Sequence, residues 1–170
     1  HLPGAEQMSM SEQANCLVAP VDGRQSEAAR DIARGVGRLL VRHGFFSIAE
    51  LGLANGRRAD VIGLGDKGDV WIVEVKSCLE DFRTDQKWPA YREFCDRLFF
   101  AVAADFPRDV LPPDTGLIIA DRYGAEIVRE APEHRLAGAR RKAVTLRFAR
   151  VAAARLQGIH DPDARLEEPK

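Results

Sequence analysis

Apolar side chains recur every three to four positions at Ala29, Ile32, Ala33, Val36, Leu39 and Leu40, and Ser26 stands ahead of them as an N-cap. The spacing predicts a helix from about Glu27 to His43, closed by Gly44. Its other side carries Arg30, Arg34, Arg38 and Arg42 at a spacing of four, a drifting cationic ridge that reads as a solvated face. The period then falls to two. Three extended segments follow, FSIAELGL near Phe46 to Leu53, RRADVIGLG near Arg57 to Gly65 and DVWIVEVKS near Asp69 to Ser77. The breaks Ala54-Asn55-Gly56 and Asp66-Lys67-Gly68 between them suit an antiparallel meander.

Beyond Leu79 the chain turns polar and aromatic, with Pro89 placed for the first turn of a short helix, PAYREFC, ahead of the apolar run LFFAVAA. That run predicts a buried central strand. TGLIIAD and AEIVREA predict a hairpin across Arg122-Tyr123-Gly124, and a last helix is expected from about Leu136 to Leu156. A helical crossover between the third and fourth strands requires them to be parallel. The expected class is therefore α/β, a mixed β-sheet flanked by helices on both faces, with an αβββαβ core followed by a C-terminal β-hairpin and helix.

With 170 residues, 45% apolar and 30% charged, the chain has the composition of one globular domain rather than of a disordered polypeptide. We expect an irregular segment over 1–25, in which His1 to about Gln7 is foreign and Met8 or Met10 is the native start, then a domain over 26–157 and a loose charged tail over 158–170. The balance of 25 Lys and Arg against 26 Asp and Glu means that any polyanion must be met by a local patch. Cys16, Cys78 and Cys95 are odd in number and form no CxxC pair, which argues against a disulfide framework and a closed zinc site. Cys78 and Cys95 are expected to be buried side chains rather than nucleophiles. No apolar run approaches a membrane span, so a cytoplasmic location and no membrane partner are expected.

The loop Asp66-Lys67-Gly68 has the three-residue pattern of a type I turn ending in a left-handed glycine. Such a loop pairs Gly65 with Asp69, and counting inward places Asp60 opposite Glu74, with Lys76 on the same face. A two-residue loop would instead set Asp60 opposite Val73. Two ionised carboxylates about 5 Å apart repel by on the order of 3 kcal/mol in an intermediate dielectric, a cost that a bound cation removes. Oxygen ligands without His or Cys favour Mg²⁺ or Mn²⁺. With a lysine beside them, such a pair suits metal-assisted attack on a phosphodiester. A bare ExK triplet, however, is more often a polar stripe on an exposed strand.

An acid on the second strand and ExK on the third, within this element order, resemble the PD-(D/E)XK nuclease superfamily, the restriction-endonuclease-like fold. The stretch from RRADVIGLG through EVKSCLEDFRTDQKWPAYREFCDRLFFAVA is similar to the MmcB family of bacterial DNA-repair-related proteins, over about Ser26 to Leu156. The resemblance implies a Mg²⁺- or Mn²⁺-dependent endonuclease hydrolysing structured or damaged DNA. It makes Asp60 and Glu74 metal ligands, the main-chain carbonyl of Val75 a third, and Lys76 the catalytic lysine. Ala59 stands where the superfamily name has Pro. For an auxiliary acid the candidates are Glu27 and Glu50, with Glu50 preferred because its strand neighbours that of Asp60. Ser77, Asp81, Asp85, Lys87, Trp88 and Tyr91 should line the mouth of the site, with Trp88 and Tyr91 equally suited to packing. Asp96 is a candidate partner for an arginine.

Candidate DNA contacts are Arg57 and Arg58 beside the site, Arg83, Lys87 and Tyr91 after it, and Arg140, Arg141 and Lys142 within a basic stretch. Between His134 and Arg155 that stretch also holds Arg135, Arg147 and Arg150 and contains no acid. The alternative function is a catalytically inactive DNA-binding or partner-binding module on the same fold. The sequence leaves the oligomeric state open, a homo-oligomer included.

Overall fold

The computed structural model describes residues 26–170, so the irregular segment expected over 1–25 lies outside the described residues. Helix α1 (Glu27–Arg42) is followed by β1 (Phe45–Gly52), β2 (Arg58–Gly65) and β3 (Val70–Val75). A short α2 (Leu79–Thr84) and a 3₁₀ segment (Trp88–Phe94) lead to β4 (Arg97–Val102). The chain then forms β5 (Gly116–Ala120), β6 (Ala125–Arg129) and the long α3 (Gly138–His160). The Ser26 hydroxyl accepts the Ala29 N–H at 3.1 Å, so α1 starts where its cap predicts. PAYREFC is wound as 3₁₀ helix, and α2, which the polar stretch did not announce, precedes it.

The six strands lie in sequence order in one sheet. The pairs β1–β2, β2–β3 and β5–β6 are antiparallel, and β3–β4 and β4–β5 are parallel. Alternation along the strands divides the core. Val61, Val73, Phe99 and Ile118 pack under Val36, Leu39 and Leu40 of α1. Ile62, Val70, Ile72 and Leu98 pack under Tyr91 and Phe94 of the 3₁₀ segment and Val144 and Val151 of α3. Each large aliphatic side chain so covered contributes about 1.5–3 kcal/mol of hydrophobic stabilisation. Gly35 lets α1 approach the β5–β6 hairpin, because a Cβ there would lie 2.0 Å from the Asp121 carbonyl oxygen.

Helix α3 runs to His160, beyond the expected end at Leu156 and into the segment expected to be loose. Glu168 in that tail is held by Arg155 at 2.6 Å, which corrects the expectation for part of it. Cys78 is buried as expected but disulfide-bonded, which corrects the argument against disulfides, because an odd count does not exclude one pair. Burial pushes the Cys95 thiol up to about 12, as its expected inert role requires. Among the described residues no helix is long and apolar enough to cross a membrane.

Candidate active site

The β2–β3 turn sets the site. Gly68 donates its N–H to the Gly65 carbonyl and has φ +87°, and Gly65 donates to the Asp69 carbonyl at 2.9 Å. Val61 faces Val73, Ile62 faces Ile72 and Gly63 faces Trp71, the register that a three-residue loop predicts. One step further along, Asp60 and Glu74 meet. The Asp60 N–H donates to Glu74 Oε1 at 3.2 Å, and the Val75 N–H donates to Asp60 Oδ2 at 2.8 Å.

Glu74 is only 2% exposed. Burial, then the charge of Asp60, holds its carboxyl well above the usual carboxylate range. Asp60 is raised too, chiefly by burial and against the pull of the Val75 N–H. Both carboxyls are thus held above the range of separate, solvated carboxylates.

Lys76 is equally buried, and its Nζ donates to Asp85 Oδ2 at 2.6 Å. Asp85 Oδ1 accepts the Lys87 N–H at 3.2 Å, which fixes the carboxylate on the loop after α2. Ser77 donates to Asp81 Oδ2 at 2.6 Å at the start of that helix. Tyr91 is buried beneath the site and gives its hydroxyl proton to the Arg58 carbonyl at 2.9 Å. It is a wall of the site rather than an exposed DNA contact. Trp88 packs edge-on against Phe100 at 5.6 Å.

Other expected residues lie apart from this centre. Glu50 sits at φ +54° and turns to Arg58, 3.6 Å away, so it joins that exposed arginine rather than the buried pair. Arg83 and Lys87 are exposed and Arg57 is half-buried. Among the described residues no group of three His, Cys, Asp or Glu side chains could hold a metal ion. The oxygen ligands that do converge are the carboxylates of Asp60 and Glu74, a pair that suits a hard cation keeping several waters.

The basic stretch is mostly turned inward, a correction with a geometric cause. Arg141, Val144, Arg147, Val151 and Arg155 fall at helical spacing on the face of α3 that meets the sheet. Arg141 forms a two-pronged pair with buried Asp96, each N···O distance 2.7 Å, and is committed to the fold rather than free for phosphate. Arg147 binds the Gly52 carbonyl and Arg155 those of Ala49 and Glu50. Arg140 lies 4.6 Å over the Phe94 ring. Lys142 and Arg150 remain exposed.

The helix, antiparallel meander, crossover and parallel strands define an α/β protein with a mixed six-stranded sheet flanked by helices, and its acids pair where β2 begins and β3 ends. A profile of MmcB-like DNA repair proteins matches residues 17–163, and the chain belongs to that family. A solved protein of unknown function from Silicibacter pomeroyi, SPO1766, is 50% identical, covers 84% of this chain and 98% of its own, and superposes with a TM-score of 0.80. A repair endonuclease from Pyrococcus abyssi shares 18% identity over 49% of this chain and 40% of its own, with a TM-score of 0.31. No curated protein sequence matches the chain.

Proposed function

We propose that this DNA repair family member is a nuclease that hydrolyses DNA phosphodiesters with Mg²⁺ or Mn²⁺. The observation that carries the reading is buried Glu74 hydrogen-bonded to the main chain of half-buried Asp60, beside buried Lys76. Asp60, Glu74 and the Val75 carbonyl would hold the ion. When bound, it would compensate the two carboxylates, polarise the phosphodiester and lower the pKa of a bound water. Asp60 is oriented by the Val75 N–H and Glu74 by the Asp60 N–H, so the carboxylates are positioned before any ligand arrives. Lys76, just past the end of β3, would place its ammonium against the phosphate oxygens or the attacking water. Tyr91 and Phe94 exclude water from the floor.

The Lys76–Asp85 contact favours a second reading, in which the ammonium is spent internally and the chain binds DNA without cutting it. The full chain should be incubated with Mn²⁺ and single-stranded, flapped and branched DNA, and Mn²⁺ affinity measured by calorimetry. Cleavage and metal binding lost together in Glu74→Gln and Asp60→Asn support the nuclease. Mn²⁺ binding or DNA binding without cleavage on any substrate supports the second reading.

A further inference from the structure

Since the α3 cations are largely spent on the sheet, a phosphate-binding surface must be sought elsewhere, and the ridge on α1 offers one. Arg30, Arg34, Arg38 and Arg42 are all exposed. Arg38 gives one N–H to the Tyr123 carbonyl at 2.8 Å, and Arg42 one to the Ala125 carbonyl at 2.7 Å. Each guanidinium has five N–H donors, so most remain for a ligand. Anchoring to the β5–β6 hairpin also removes part of the side-chain entropy that binding would otherwise cost.

At the hairpin tip Tyr123 is 73% exposed, second only to Ile159 among the large hydrophobic side chains of the described residues. Arg122 lies 5.9 Å over its ring. The neighbouring acids are largely engaged, Asp121 by the N–H groups of Tyr123 and Gly124 and Asp31 by Arg122 at 3.9 Å. A cavity of about 400 Å³ lies beside this corner, lined by Tyr123, the first turn of α1 and Ser77.

We propose that the α1 ridge and the hairpin tip bind single-stranded nucleic acid, with phosphates on the arginines and an unpaired base stacked on Tyr123. Exposed aromatics beside cations are the chemistry of unpaired strands, since a base in a duplex has no free face to stack. The inference rests on the DNA reading above and adds which strand form is held and where.

The test is fluorescence anisotropy of the full chain with a labelled oligo-dT strand and with a duplex of equal length, at several NaCl concentrations. Arg30→Ser/Arg34→Ser should lower the salt slope for the single strand by about 1.4, two phosphates at about 0.7 each. Tyr123→Ala should weaken single-strand binding by about 5- to 150-fold, with Tyr123→Phe close to wild type. Wild-type binding that these variants leave unchanged, or a slope that falls only in Lys142→Ser/Arg150→Ser, overturns the inference and leaves the DNA reading standing. Absence of binding by the wild type to either DNA overturns both.

Discussion

Replacing Arg141 with Ala tests whether the basic stretch serves the fold. Its guanidinium meets both Asp96 oxygens at 2.7 Å and the Gly68 carbonyl at 2.7 Å, while Asp96 is 3% exposed. Removing one partner of a buried pair costs about 3–5 kcal/mol because the other charge stays behind. Arg141 is itself 20% exposed, so water reaches the gap and the lower end applies. A loss of about 3 kcal/mol in a chain of this size lowers Tm by roughly 6–12 °C. Lys142→Ala, one residue away and exposed, should change stability by less than about 0.5 kcal/mol. The pH dependence gives a second measure. Burial alone would raise Asp96, but the Arg141 hydrogen bonds, then the Leu136 and Val70 N–H groups, bring it from 3.8 down to about 2. A depressed acid stabilises the fold above its unfolded value, and that contribution, about 2 kcal/mol for this shift, is lost as pH falls from about 4 through 2. The gap between wild type and Arg141→Ala should therefore narrow over that window in thermal unfolding followed by circular dichroism. Equal Tm values for Arg141→Ala and Lys142→Ala at pH 7 would refute the reasoning.

Two further outcomes follow from the geometry. Glu74→Gln should raise the metal-free Tm, because glutamine brings no charge into this buried position. Glu74 is raised well above its ordinary 4.5, so the wild type loses stability as pH rises above that value and the advantage of Gln should grow from pH 4 to 8; a constant gap would count against the raised carboxyl. Gly35→Ala should lower stability by about 1–3 kcal/mol despite the better helix propensity of alanine, since the new methyl meets the Asp121 carbonyl, and an unchanged denaturant midpoint would contradict that contact.

How much of this could be read in advance depended on whether local rules decided the outcome. The pairing of Asp60 with Glu74 followed from one glycine-ended loop and the period of two, and both are properties of consecutive residues. The roles of Arg141, Arg147 and Arg155 were also legible, since they share the helical phase of Val144 and Val151, but counting charge without phase hid them. Glu50 was out of reach, because its left-handed φ of 54° breaks the strand alternation that suggested it as a neighbour of Asp60. Asp85 could be placed at the mouth but not on Lys76, for that contact depends on how the loop after α2 folds back.

The two ends of β3 separate a structural acid from a functional candidate. At its first residue, Asp96 accepts N–H groups from Val70, Leu136 and both arms of Arg141, and the surplus of donors drives its carboxyl down to about 2. Such an acid is saturated and has nothing left to offer a ligand. At the other end Glu74 is as deeply placed and Asp60 half-buried, yet each receives one main-chain N–H and the nearby ammonium of Lys76 is held by Asp85. Their carboxyls are consequently raised. A fold gains nothing from an under-compensated pair that two apolar residues could replace with higher stability. The missing positive charge is what a divalent cation would bring, and that deficit, absent at Asp96, is the physical reason to look for the ion at Asp60 and Glu74.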